Sequence, residues 1–499
     1  MTDAKDSQYF RLALVLVVAL AAARIAVIAL SDLNLYPDES QYWFWSLTPD
    51  LGYFSKPPVL AWIIGLTTAL CGQEEFCIRL GSPLLHGATS IAMFALGRLL
   101  YDARVGFWAA VIHATLPAVF YSANLISTDV PLLFFWAVAM IGLWRLIETP
   151  NWGWALLTGA AIGLGLMSKY AMSYFLIGAA LFMLFDARAR ARAVSLQMAA
   201  VALIAAAIFA PNVWWNLSND FATVSHTAAN ANWTARDLFN PDKLLKFLAD
   251  QLLVFGPVLF AALIGWLLTV RTRLKESPSF RQDLYLLCFT LPPLLIVAGQ
   301  AFISRANANW AVTAYVAATV LVTAWLLRAR RRLLLQISIG LHAVFGALIW
   351  ALVLAPETGQ SALGLDARPI RDMTGWDTAA EKISAHLHAD GTPYTAILTD
   401  NRFVHASLAY YMRKEDVPLK AWDPDGVPDD HFQMVAPFGP SDDGKVLLVS
   451  RRGRTPKLLD HFEHVRFIDA MVLDIGRSRT RTLRLYELSR LKEGEEGNS

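Results

Sequence analysis

The run FRLALVLVVALAAARIAVIAL, residues 10–30, stops a few residues short of YPDESQYWFW, residues 36–45. The first stretch is long enough to cross the roughly 30 Å of a bilayer's hydrocarbon and carries only Arg11 and Arg24 as charges. It exceeds the roughly 7–15 residues of a signal-peptide core, and further apolar segments follow, so it reads as an uncleaved first span over residues 10–31. The second stretch sets Asp38 and Glu39 side by side beyond that span, with aromatics crowded behind them. Two carboxylates beside so oily a segment need a structural or a chemical reason.

The rest of the chain has the same character. Of 499 residues, 56% are hydrophobic and only 17% charged, which places the chain among integral membrane proteins and makes nucleic acid a poor partner. The net charge of +2 says little, because in such proteins the placement of Lys and Arg carries the information. Apolar stretches of spanning length lie at 78–100, 105–122, 129–147, 194–213, 246–270, 283–303, 310–327 and 333–354. The longer block 153–186 predicts two short helices joined by a turn at Ser168 to Tyr170, for about eleven spans in all. Residues 57–72 are short and led by two prolines, and are expected to lie at the interface.

Alternate loops differ in charge. One set carries Arg98, Arg104, Arg145, Arg188, Arg190, Arg192, Arg271, Arg273, Lys275, Arg328, Arg330, Arg331 and Arg332, while the other lacks clustered cations. The positive-inside rule then puts the N-terminus and the basic loops in the cytoplasm. Residues 32–77, 123–128, 214–245, 304–309 and everything after 355 are expected outside. Past Pro356 charges become frequent, and runs such as YTAILTD (394–400), KVLLVS (445–450) and TRTLRLYEL (480–488) alternate with helical patterns such as TAAEKISAHL. The expected organisation is therefore a membrane domain over 1–354 and a soluble α/β domain over 355–499.

The outer segments collect ionisable and polar groups: Asp38, Glu39, Tyr53 and Lys56 in the first, Asp129 opening a span, Lys169, His226, and Arg305, Asn307 and Asn309 in SRANANW. Charges at such depth cost several kcal/mol unless paired or hydrated. Acids and cations gathered beside an apolar bundle suit an amphiphile with a phosphate head and a hydrocarbon tail. Lys and Arg would hold the phosphate, and a carboxylate would serve as general base toward a hydroxyl.

Simpler readings stand beside these. Asp38 with Glu39, and Asp129 after Ser127 and Thr128, would each suit a helix N-terminus; Lys56 would suit snorkelling to headgroups. Lys169 and Arg305 would suit loop charges facing water or anionic lipid. His86, His113 and His342 fall in apolar spans, where hydrogen-bonded packing is the expectation, and Arg24 is expected to pair internally or reach toward the surface. Cys71, Cys77 and Cys288 lack zinc-site spacing; Cys71 and Cys77 are either a disulfide or two unpaired thiols.

YPDE at 36–39, YFSKPP at 53–58, Arg79-Leu80 before a long span, Thr128-Asp129 opening another, and Ser168-Lys169 follow one another in an order that resembles the bacterial glycosyltransferase family 39 proteins. These are GT-C membrane enzymes related to protein O-mannosyltransferases and lipid A aminoarabinose transferases. The likeness covers residues 1 to about 330 and is strongest at 36–58 and 127–136. It implies a polytopic α-helical GT-C fold and transfer of a hexosyl or uronosyl group from a polyprenyl-phosphate donor to a periplasmic acceptor; attack opposite the phosphate, with Asp38 as base, would invert the configuration. Lipid A, lipopolysaccharide core, another envelope glycan or a protein Ser/Thr all remain open as acceptors.

By motif, Asp38 is similar to the family's acidic catalytic residue, Lys56 to its phosphate-contacting lysine, and Asp129 to its second acidic position; Glu39 accompanies Asp38. Lys169 and Arg305 are assigned from topology, and Tyr53, Asn307 and His226 join them as substrate-binding candidates. No cofactor is required; a divalent ion held by Asp38, Glu39 and Asp129 stays open. A transporter or flippase of a lipid-linked sugar and a non-catalytic scaffold are the rival classes. Against transport stand the lack of repeated spans and of an acidic chain through mid-membrane.

Overall fold

A computed structural model describes residues 2–231, 238–355, 368–389, 393–451, 457–476 and 479–492. The side chains of Arg273 and Lys275, and Asn232 and Trp233, lie outside the described residues. Contacts divide the chain into two compact units. The first holds residues 1–29, 56–63 and 79–350; the second holds 30–55, 64–78 and 351–499. Charge content changes near residue 355, but residues 30–55, with Asp38, and 64–78 fold into the same unit as the C-terminal region, while 56–63 belong to the first unit.

The first unit is helical throughout. Its helices are α1 (Thr2–Ala29), α5 (Gly81–Leu100), α6 (Ala103–Thr115), α7 (Pro117–Ser122), α8 (Asp129–Glu148), α9 (Trp152–Leu166), α10 (Ser173–Phe185), α11 (Ala187–Ala193), α12 (Leu196–Ser218), α13 (Ala222–Ala231), α14 (Pro241–Val254), α15 (Pro257–Leu268), α16 (Val270–Glu276), α17 (Phe280–Ile303), α18 (Ala314–Arg328) and α19 (Arg332–Leu354). Between α1 and α5 run α2 (Pro37–Leu47), α3 (Val59–Cys71) and α4 (Glu75–Arg79). Among the described residues, 6 helices are long and apolar enough to span a bilayer, or 7 if the bent pair Tyr170–Phe185 and Ala187–Ala193 is one span. Shorter apolar helices include Trp152–Leu166, Pro257–Leu268 and Ala314–Arg328. The protein is a multi-pass membrane protein.

Two spans expected to be continuous are broken, and the breaks have local causes. In 105–122 the helix stops at Thr115: Pro117 disfavours helical geometry at the residue before it, and Leu116 turns to ψ 139. In 246–270, Gly256 takes φ 86 and Pro257 opens the next helix, so α14 and α15 are separate. The block 153–186 divides as its sequence suggests, with α9 and α10 flanking a 3-10 turn at Tyr170–Met172.

Lipid tails are as apolar as Leu, so packing rather than water exclusion must hold such helices together. A Cβ on Gly97 would lie 2.8 Å from the Cα of Gly106, so α5 and α6 touch backbone to backbone. Elsewhere aromatics fill the interior: Trp136, Phe175 and Phe289 pack edge to face or tilted, and the Tyr285 hydroxyl donates to the Met140 carbonyl at 2.7 Å. Arg24, 1% exposed, donates to the Ala114 carbonyl and sits 5.1 Å over the Phe120 ring, the internal pairing that a buried guanidinium needs. At loop ends, Arg281 bridges Glu148 and Asp186, and Arg328 pairs with Asp283 at 2.7 Å.

The second unit contains a five-stranded sheet ordered β2-β1-β3-β5-β4: β1 (Ala396–Thr399), β2 (Leu419–Ala421), β3 (Val446–Ser450), β4 (Phe462–Asp474) and β5 (Thr480–Leu491). β1 runs parallel to β2 and β3; β5 is antiparallel to β3 and β4. The runs singled out as β-rich form β1, β3 and β5. Helices α20 (Arg368–Asp372), α21 (Trp376–Ala389), α22 (Arg402–Tyr411) and α23 (His431–Val435) complete it. Trp376, Ala379, Ala380, Ile383 and Leu387 recur at helical spacing along α21 and are all buried in one core with Ile397, Leu447 and Leu485. Cys71 and Cys77 are joined as a disulfide, which decides the alternative their spacing left open.

Candidate functional site

Asp129 is the first residue of α8, where a carboxylate suits the helix dipole. It is also 7% exposed, and capping alone does not account for its partners. Oδ1 accepts from Lys169 Nζ at 2.7 Å and Oδ2 accepts from Asn309 Nδ2 at 2.6 Å. Three segments far apart in sequence thus meet on one carboxylate. Lys169 precedes the 3-10 turn after α9, with Ser168 fully buried behind it. The next residue, Tyr170, donates to Asn212 Oδ1 at 2.8 Å and accepts from Asn216 Nδ2, which fixes the turn against α12. Val59 N donates to the Met167 carbonyl at 3.1 Å, so the segment carrying Lys56 is tied to the same turn. The ammonium of Lys169 has three N–H groups, and Asp129 takes one.

Beside this cluster lies a cavity of about 400 Å³. Asp129, Asn309, His86, Ser122 and Ser127 give it a few polar atoms in a wall otherwise built from groups such as Val119, Leu133, Val254, Val312 and Phe345. A mostly apolar cleft with a few convergent polar groups is the usual form of a small-molecule or lipid site. His86, which the sequence assigns to packing, is hydrogen-bonded to Ser122 Oγ at 3.1 Å and lines the cavity as well. Nothing in its local sequence separates it from a packing histidine.

Within the second unit, Asp38 sits in the first turn of α2, half-exposed, with Arg402 Nη1 donating to its Oδ1 at 3.0 Å. Glu39, by contrast, is 1% exposed, and its Oε2 accepts from the backbone N–H of Tyr36 at 2.9 Å, which is a helix cap. Tyr53 is buried, stacked on Trp45 at 4.7 Å, and its hydroxyl donates to the Trp45 carbonyl. Burial pushes its phenol up to about 12. Ring and hydroxyl both help to hold α2.

The remaining candidates are placed as follows. Lys56 is half-buried in the first unit, and His226 is half-buried on α13. Arg305 and Asn307 are exposed on the loop that carries Asn309, but Asn309 is the residue of that loop bonded to Asp129. Among the described residues no three His, Cys, Asp or Glu side chains are grouped to hold a metal ion. The sequence reading missed Arg402, because a single arginine in a charge-rich region carries no local signal.

The profile of the family described as dolichyl-phosphate-mannose-protein mannosyltransferase matches residues 55–215. Along nearly its whole length the chain is similar to the lipid A galacturonosyltransferase RgtD of Rhizobium johnstonii, 32% identical over 96% of this chain and 98% of that one. It is also 28% identical to the lipopolysaccharide core galacturonosyltransferase RgtA of the same organism over 37% of this chain and 38% of that one. Among solved structures, ArnT from Cupriavidus metallidurans bound to undecaprenyl phosphate superposes with a TM-score of 0.63 at 15% identity, covering 96% of this chain and 99% of that one. The last likeness is one of fold. With a relative this similar from end to end, the chain belongs to glycosyltransferase family 39, the GT-C class of membrane glycosyltransferases.

Proposed function

We propose that this protein moves a uronic acid, galacturonic acid first among candidates, from a polyprenyl-phosphate carrier to a hydroxyl of lipid A or a kindred envelope glycolipid at the outer face of a bacterial inner membrane. The observation that carries this reading is the end-to-end similarity to a lipid A galacturonosyltransferase. The mostly apolar cavity beside Asp129 suits a hydrocarbon-bearing substrate.

The chemistry follows from the leaving group. A polyprenyl phosphate departs as an anion, so the reaction has no need of the second carboxylic acid that protonates the leaving oxygen in glycoside hydrolysis. Asp38 takes the proton of the acceptor hydroxyl as that oxygen attacks the anomeric carbon. The bond from that carbon to the phosphate oxygen breaks on the opposite side, its electron pair leaves with the polyprenyl phosphate, and the configuration inverts. Lys56, Lys169 and Arg305 offer positive charge to the phosphate. In this scheme Asp129 fixes Lys169 through one N–H and leaves two for the lipid phosphate.

The test uses purified full-length protein in lipid nanodiscs with polyprenyl-phosphate galacturonate and lipid A. Mass spectrometry should show lipid A heavier by one hexuronosyl residue, and Asp38→Asn should abolish the product while donor binding persists. Product formed on protein serines instead would favour the mannosyltransferase-like alternative. Movement of the intact donor across the bilayer without transfer would favour a flippase.

A further inference from the structure

Arg402 lies 364 residues from Asp38 in sequence, yet its Nη1 donates to Asp38 Oδ1 at 3.0 Å and to Gln41 Oε1 at 2.5 Å. Both acceptors project from α2, so one guanidinium nitrogen straddles a single helical turn. The donor is itself firmly placed. Arg402 opens α22 directly after β1, and Asn401 Oδ1 caps that helix by accepting from Phe403 N and Val404 N at 3.0 and 3.3 Å. Asp400 is held by Ser450 Oγ at 2.8 Å, and the Phe403 ring lies 4.7 Å from the guanidinium carbon.

The two helices are joined along their length as well. Trp43 of α2 packs edge-on against Tyr410 of α22 at 4.9 Å, while Phe44 of α2 meets Phe432 of α23 at 5.2 Å. Asp430, whose charge Arg402 also feels, spends its Oδ1 on the N-terminus of α23, accepting from Phe432 N and Gln433 N. Asp38 is therefore the carboxylate to which the arginine is hydrogen-bonded. Its other oxygen, Oδ2, has no hydrogen bond among the described residues, and its side chain is 38% exposed.

We propose that Arg402 is a positioning residue for the transfer reaction: it anchors Asp38 through Oδ1 and so presents Oδ2 to the acceptor hydroxyl. This rests on the reading of Asp38 as the base. A base must sit within hydrogen-bond reach of the proton it takes, and a carboxylate turning freely about its χ angles would spend little time there. The C-terminal region then has a role in catalysis without touching substrate. Because the contact uses one nitrogen and not the two-pronged fork that separates Arg from Lys, a lysine ammonium can replace it.

Steady-state kinetics on full-length protein in nanodiscs, with polyprenyl-phosphate galacturonate and lipid A, test the proposal. Arg402→Gln should lower kcat at least twentyfold while KM for the donor stays within threefold. Arg402→Lys should restore kcat to within fivefold of wild type. A purely structural role would lower the amount of folded enzyme, seen as a reduced melting temperature, and leave kcat per folded molecule unchanged; that result overturns the proposal. So does a loss that falls mainly on KM, which would make Arg402 a substrate contact. If Arg402→Gln does not fold, Gln41→Leu decides, since it frees the same nitrogen: a kcat reduced about threefold supports anchoring and an unchanged kcat overturns it. An active Asp38→Asn would instead sink the base assignment, whatever the arginine variants do.

Discussion

Replacing Lys169 by methionine would keep most of the side-chain volume and strip Asp129 of its cation. The pair is 2.7 Å apart, with side chains 19% and 10% exposed, so neither charge is well solvated. At an effective dielectric constant of about 20, two unit charges at that separation attract by about 6 kcal/mol. Much of this repays their desolvation, and breaking a buried pair by removing one partner costs ~3–5 kcal/mol. Asn309 still donates to Oδ2, which places the expected loss near the lower end, about 3 kcal/mol. With the usual unfolding entropy per residue, that is a fall of about 5 °C in the melting temperature of the membrane unit. Asp129→Asn in the Lys169→Met background removes the stranded charge and should return stability to within ~1 kcal/mol of wild type, well short of the sum of the two single losses. Both variants should lose transferase activity. Thermal unfolding of the four proteins in one detergent measures the cycle. If Lys169→Met melts like wild type, or the double variant loses the sum of the single losses, the carboxylate does not depend on this lysine and the picture of an interlocked Asp129–Lys169–Asn309 cluster is wrong.

Other outcomes follow from single contacts. His405 is buried, accepts or shares a proton with Thr399 Oγ1 at 2.8 Å, and has its pKa lowered to about 3 by burial. A folded pKa below the unfolded 6.5 means that its stabilising effect is complete above pH 6.5 and fades as pH falls toward 3, about 2 kcal/mol being gone at pH 5. His405→Asn, which keeps an acceptor near the position of Nδ1, should flatten that pH dependence of unfolding; an equal slope in both proteins would contradict it. Alkylation of unfolded protein should count one thiol without reductant and three with it, given the Cys71–Cys77 bond and free Cys288, and Cys71→Ser with Cys77→Ser should cost ~2 kcal/mol. Gly106→Ala would put a methyl 2.5 Å from the Phe94 carbonyl oxygen and should destabilise by ~1–3 kcal/mol. The control Gly299→Ala meets open space and should be neutral or stabilising in the same melting assay.

How far the sequence could carry the reading depended on whether the relevant physics was local. Hydropathy located the long apolar helices because a run of twenty apolar residues has one favourable environment. Pro117 and the Gly256-Pro257 pair explain where two of them break, and both signals stood in the sequence. The Thr-Asp opening of α8 and the Ser-Lys turn were legible as motifs. Their meeting on one carboxylate was not, since it depends on how α8, the turn after α9 and the 308–311 turn pack. For the same reason neither the stacking of Tyr53 on Trp45 nor the pairing of Arg402 with an acid hundreds of residues away leaves a local signal in the sequence.

The enclosure of residues 30–55 and 64–78 in one compact unit with residues 351–499 bears on how this enzyme can be re-engineered. A chimera that exchanges only the tail between relatives would pair α2 of one parent with α22 of the other, and mismatch Trp43, Phe44 and Gln41 with the tail residues that meet them. The tail should therefore be grafted as part of a discontinuous cassette, with residues 30–55 and 64–78 travelling with it.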